Sequence, residues 1–392
     1  MCFAILPAMV GAGRAEPRAA APAPDAVLRP CPDFGAGFFQ SPGNAFCLKI
    51  SGRIRHDFGY DQTARRADDA SWTETRGTLG LDAAALTDQG PVRAILRMTF
   101  RRAPTSWVEF RPPDLEYASM EWSGLTAGRA WSFFDRGFPN GGVTLLGGGA
   151  NGRGSDRGAV ALVGYSRPLW DDWSASVSLE DGSERRVGVA GAAPAGARRP
   201  DGVVTLGGSA WGHRLHAAGA LHETRPDLPG ARAVHGWAAQ ISWETPPFWP
   251  EGRTRLRAQA AFASAASDYV GWGYAGVAGV VPRTADAWAT RAGAVSNRAW
   301  SAGVSLIHDG SPTLRLAAFA VWAGQDGPSR YASARIGTVG ANVVWTPVRN
   351  SQAAAEILWQ SIAVAQPLWD VVARGRTGSS AWTGRIRLQH DF

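Results

Sequence analysis

Residues 92–101 read VRAILRMTFR. Val92, Ala94, Leu96, Met98 and Phe100 alternate with Arg93, Ile95, Arg97, Thr99 and Arg101. A period of two puts one set on each side of a β-strand, and here one side is apolar while the other carries three arginines. A charged face of this kind needs water, and the apolar face needs a core or lipid.

The pattern recurs on both sides of this stretch. Upstream, Ile50, Ile54, Phe58 and Tyr60 alternate with Lys49, Ser51, Arg53, Arg55 and Asp57, and Leu79, Leu81, Ala83 and Ala85 with Arg76, Thr78, Gly80 and Asp82. Downstream, Trp173, Ala175, Val177 and Leu179 alternate with Ser174, Ser176, Ser178 and Glu180. Less clean segments follow at 203–211, 214–222, 237–245, 254–264, 300–308, 313–322, 336–345, 353–361 and 383–392, with weaker ones near 117–122 and 159–166. Roughly 14 to 18 strands result, about 23 residues per strand and turn, which suits an outer-membrane barrel. Tryptophans cluster at the expected strand ends, among them Trp122, Trp173, Trp237, Trp300, Trp345 and Trp382. An indole prefers the membrane–water boundary because its ring is apolar and its N–H seeks water.

Composition agrees. The chain has 392 residues, 48 of them glycine and 18 tryptophan, with a formal charge of +7 and a single lysine, Lys49. Its arginines are dispersed, without the run of basic residues of a nucleic-acid arm, so no nucleic-acid partner is expected. No long apolar run follows the N-terminus, which excludes transmembrane helices but not a transmembrane barrel. Residues 1–24 read as a signal peptide and Ala/Pro-rich export region, the alternative being a disordered tail. Cys31 and Cys47 then remain in the exported chain, an even pair that favours a disulfide over two buried thiols.

Between Leu125–Ala130 and residue 159 the chain loses all period. Gly147, Gly148 and Gly149 forbid a regular element, yet Phe133, Phe134, Phe138, Leu145 and Leu146 make the stretch too apolar for a solvated linker. Two readings stand: a loop folded into a hollow barrel with Asp135, Arg136, Arg153, Asp156 and Arg157 facing the water path, or a rim loop between two strands. The glycine-rich segment lacks the Gly-Lys-Ser/Thr of a phosphate loop, the histidines lack metal-ligand spacing, and no nucleophile elbow is present. No catalytic residue, metal or cofactor is therefore expected.

Several stretches taken together resemble the alphaproteobacterial porins, the trimeric general-diffusion porins of rhizobia and relatives. They are CPDFGAGFFQSPGNAFCLKISGRIRHDFGYD (31–61), GLTAGRAWSFFD (124–135), WSASVSLEDGSERR (173–186), RPDGVVTLGGSAWG (199–212), AGALHE (218–223), VGANVVWTPVRN (339–350), AAAEILW (353–359) and WTGRIRLQHDF (382–392). The resemblance implies an all-β fold: a 16-stranded antiparallel transmembrane β-barrel over 25–392, with a constriction loop at about 131–158 folded inward. It also implies a homotrimer in the outer membrane of a Gram-negative cell, exported through a signal peptide, in contact with outer-membrane lipid and lipopolysaccharide. Small hydrophilic solutes and ions would diffuse through it passively.

On this reading Arg53, Arg55, Arg76, Arg93, Arg97 and Arg101 form a pore wall facing Asp135 and Asp156, and arginine excess predicts a weak anion preference. The alternative for each arginine is a place at the rim, bound to lipopolysaccharide phosphate. A solute-specific anion channel and an outer-membrane barrel enzyme are the rival functions.

Overall fold

The computed structural model describes residues 29–41, 43, 46–62, 69–102, 113–137, 158–249, 251–271, 277, 284–290, 293–327, 333–365 and 378–392. The 1–24 region lies outside them.

Sixteen strands run β1 Cys47–Asp61, β2 Ser71–Thr87, β3 Gly90–Arg102, β4 Asp114–Trp122, β5 Leu125–Trp131, β6 Ala159–Trp170, β7 Trp173–Glu180, β8 Asp201–Ala210, β9 His213–Thr224, β10 Val234–Glu244, β11 Thr254–Ser264, β12 Arg298–Ser311, β13 Leu314–Asp326, β14 Ser333–Val348, β15 Ser351–Ala365 and β16 Gly378–Asp391. Each pairs antiparallel with its sequence neighbours, and β16 returns to β1 with Arg53 opposite Asp391 and Asp61 opposite Thr383. The sheet is a closed barrel without a free edge. The weak segments near 117–122 and 159–166 are full members, β4 and β6.

Side-chain alternation around the ring sets the faces. Ile54, Phe58, Val177, Leu221, Ile241 and Ile386 stand outward and exposed, an apolar girth. Trp237, Trp300, Trp322 and Trp382 sit outward toward one end of it, and Trp122, Trp173, Trp243 and Trp345 toward the other. A barrel with an apolar belt between two aromatic rings is built for a bilayer. No helix among the described residues is long and apolar enough to cross a membrane.

The two ends differ. At one, most strands are joined by tight turns. Ser123-Gly124 (φ 48° and 89°) and Trp211-Gly212 (φ 51° and 77°) take positive φ at both central positions, the hairpin geometry that follows strand twist. At the other end, long connections fold back over and into the barrel.

Among the described residues, two of these connections bury aromatic side chains inside the barrel. The first begins after β5: Phe133 and Phe134 are fully buried. The second runs between β11 and β12. Its 3₁₀ turn Ser267–Val270 buries Tyr269 and Val270 against the small inward residues Ala218, Ala220, Ala238, Ala261, Ala263 and Ala299. Short strands Ala287–Thr290 and Gly293–Ser296 pair with each other, and the first also pairs with Val189–Ala190. The inner wall from β8 to β15 is thus largely buried, small apolar residues alternating with buried polar ones such as Gln240, Ser301, Gln325 and Glu356, and two large cavities lie on the β1–β6 and β16 side.

Candidate solute path

On that side the inner faces of β1, β2, β3 and β16 meet as a polar wall. Register pairs Arg55 with Arg76 and with Gln389, and Gly80 with Arg97, so the arginines stack across adjacent strands. Arg53, Arg55, Arg76 and Arg97 line one cavity of about 460 Å³, together with Glu116 and Asp391. Four of the expected wall residues are therefore brought together. Arg93 lies further toward the tight-turn end, in a larger cavity of about 880 Å³ that also takes in Tyr117, Glu121, Asp135 and Arg136. Arg101 stands near the long-loop end.

The wall is less bare than an arginine ladder. Arg53 pairs with Asp391 at 2.6 Å, Arg76 with Glu74 at 2.8 Å and Arg101 with the same Glu74 at 3.3 Å. Arg93 binds Asp82 through both Nε and Nη2. Asp57 accepts both arms of Arg387, at 2.7 and 2.9 Å. Among the described residues, Arg55 and Arg97 make no carboxylate pair; Arg55 Nε donates to Gln389 Oε1 at 2.9 Å.

The root of the first inward connection is anchored from below. Glu180, itself buried, accepts from Ser132 Oγ at 2.7 Å, from the Phe133 N–H at 2.9 Å and from Ser178 Oγ at 2.8 Å. Arg136 lies over the Phe133 ring at 3.3 Å and donates to Ser166 Oγ at 2.8 Å. Arg136 is exposed and lines the larger cavity. Asp135 departs from expectation. Its carboxylate does not face open water but is buried against the Arg185 guanidinium. A buried arginine on the next connection captures it, a partner 50 positions away that no local pattern announces. Arg153, Asp156 and Arg157 lie outside the described residues.

Arg185 joins both inward segments. Its guanidinium sits 4.4 Å over the Tyr269 ring and 3.8 Å from Asp268. Burial works against its charge, but Asp135, Tyr269, Asp268 and Glu180 outweigh it and hold the guanidinium protonated. The Tyr269 hydroxyl donates to Asp201 Oδ2 at 2.7 Å, and the same carboxylate lies 2.8 Å from His222 Nδ1. Asp286 accepts the Val187, Gly188 and Ser267 N–H groups at 2.8–2.9 Å. This polar cluster fastens the interior segments to β7, β8 and β9.

Comparison with known proteins follows the architecture. The family described as "Porin subfamily" matches residues 17–380. The chain belongs to that porin subfamily. Outer membrane protein IIIA of Rhizobium leguminosarum bv. viciae is 29% identical over 119 residues, 30% of this chain and 32% of that protein. Porin Omp2b of Brucella melitensis is 29% identical over 120 residues, 28% of this chain and 33% of that protein. These matches span about a third of each relative's length. Among solved structures, the outer membrane channel DcaP of Acinetobacter baumannii superposes with a TM-score of 0.72 at 14% identity, over 90% of this chain and 99% of that one. The anion-selective porin from Comamonas acidovorans gives 0.58 at 11%, over 88% and 100%. At such identities the structures share the fold. The porin is an outer-membrane protein.

Proposed function

We propose that this porin is a water-filled channel for passive diffusion of ions and small hydrophilic solutes, with a weak preference for anions. One observation carries the reading: a charged wall lines the part of a closed barrel that interior segments leave uncovered, and it includes two arginines without a carboxylate partner among the described residues. Charges in a narrow polar path set which ions enter and how fast. Arg53, Arg55, Arg76, Arg93, Arg97 and Arg101 act as the pore wall. Arg136, with Arg153, Asp156 and Arg157 of the same connection, forms the constriction, and Asp135 holds its root. The protein works as a homotrimer in contact with lipid and lipopolysaccharide, after removal of residues 1–24. A solved relative in fold, OmpT of Vibrio cholerae, is described in a trimer form at 10% identity and TM-score 0.57.

The reading requires no catalytic residue. Planar-bilayer recording of detergent-extracted protein in a potassium chloride gradient tests it. Discrete steps with a zero-current potential on the anion side are expected; clear cation selectivity would refute the preference, and the lack of any step the channel.

The second interior segment favours one rival. By filling the β8–β15 side it narrows the path more than one constriction loop would, as a solute-specific anion channel requires. Saturable block of conductance by phosphate or an organic anion would identify that case.

A further inference from the structure

The residues just before β1 form a small structure of their own. Cys31 and Cys47 are joined by a disulfide. Phe39 and Gln40 pair antiparallel with Leu48 and Cys47, and the Cys31 N–H donates to the Phe38 carbonyl at 3.0 Å. Cys47 and Lys49 alternate with outward Leu48, so the disulfide pulls the segment to the inside of the barrel. There Phe38 is buried with Cys31 against Ala84, the inward partner of Cys47 on β2, and the Lys49 ammonium caps its ring at 5.9 Å. Phe34 packs on Phe38 with ring centres 5.9 Å apart. The segment therefore occupies the tight-turn mouth rather than hanging from it.

Its tip reaches the solute path. Asp33 and Phe34 line the same 880 Å³ cavity as Arg93, Glu121 and Arg136. Asp33 is exposed and, among the described residues, has no ion-pair partner.

We propose that Cys31–Ser41 is a fixed collar at the tight-turn mouth and a selectivity element of the channel, with Asp33 as its charge and Phe34 as its bulk. An anion that has passed Arg97 and Arg93 meets a carboxylate before it leaves, so the collar moderates the arginine wall. The disulfide closes the collar to the barrel wall at one end while strand pairing holds the other. The proposal rests on the channel reading.

Two variants of the full-length protein test it in the same bilayer assay. Asp33→Asn leaves the fold untouched and is expected to move the zero-current potential toward anions. The double variant Cys31→Ser, Cys47→Ser frees the collar and is expected to enlarge the conductance step; adding Asp33→Asn to it then produces little further shift. Steps in all proteins with unchanged size and potential overturn the collar while leaving the channel intact. Silence from native and double-serine protein alike overturns both. A silent native protein that conducts once the cysteines are replaced overturns the selectivity role, the segment then acting as a plug.

Discussion

On the proposed channel reading, Arg97 is the residue expected to weigh most on ion preference, because it lines the 460 Å³ cavity and, among the described residues, has no carboxylate paired with it. A unit charge about 4 Å from a passing ion in bulk water is worth ~1 kcal/mol, or about fivefold in local anion concentration. Arg97→Gln should lower the anion-to-cation permeability ratio by up to that factor, read from reversal potentials. Arg93→Gln should do less, since Asp82 already neutralises Arg93. Arg185 is a residue of the opposite kind. Its side chain and that of Asp135 are 1% and 0% exposed. Arg185→Ala strands a buried carboxylate and should cost about 3–5 kcal/mol, seen as a lower urea midpoint of the folded barrel. Tyr269 extends the same cluster into a pH response. Burial, reinforced by Asp201, pushes its phenol well above the usual value, with Arg185 opposing. A raised folded value means that the protonated phenol's stabilisation is complete below about pH 10 and is lost as pH climbs through the folded value. An ultraviolet titration should therefore show one tyrosine resisting ionisation until alkaline unfolding. None of these partnerships was legible in the sequence: Asp135 and Arg185 lie 50 positions apart, Asp201 and Tyr269 68. Only the closed barrel makes them neighbours.

The strands were legible in proportion to how simply each was solvated. On β1, β2 and β3 one face meets lipid and the other meets water, so polar and apolar residues alternate cleanly. On β9 to β13 the inner face carries Ala218, Ala238, Ala261, Ala299 and Ala323, because an interior segment rather than water covers it. Small apolar residues then share the inner face with buried polar ones such as Gln240, Ser301 and Gln325, and the period blurs. That blur, with alanine on the inward set, was the one available sign of the segment after β11, and the expectation of a single constriction loop passed over it. The segment can be spliced out, at the cost of the contacts that Arg185 and Asp201 make with Tyr269. Its ends are already bonded, Ala265 N–H to the Asn297 carbonyl at 2.8 Å. Replacing 266–296 by a two-residue turn should keep the barrel and raise single-channel conductance. An unchanged step would mean that the path never ran beside the segment.

As a whole the molecule should behave as one cooperative unit. Every barrel strand has two hydrogen-bonded neighbours, leaving no edge from which unfolding can begin. Unheated samples in dodecyl sulfate should therefore migrate at a position different from boiled ones, with a band at three times the monomer mass if the homotrimer forms. A single band of monomer mass under both conditions would argue against both kinetic stability and assembly.

The seam between β1 and β16 also fixes when this barrel can exist. Arg53 and Asp391 meet across 338 positions, and Gly52 and Phe392 exchange backbone hydrogen bonds at 2.7 and 2.9 Å. The hairpins can zip locally, but closing a flexible ring of that length forfeits about 5 kcal/mol of chain entropy beyond a constant. Such a non-local contact is slow to find and comes late. Until it forms, the nascent sheet has two raw edges, and its arginine wall has no lumen to face.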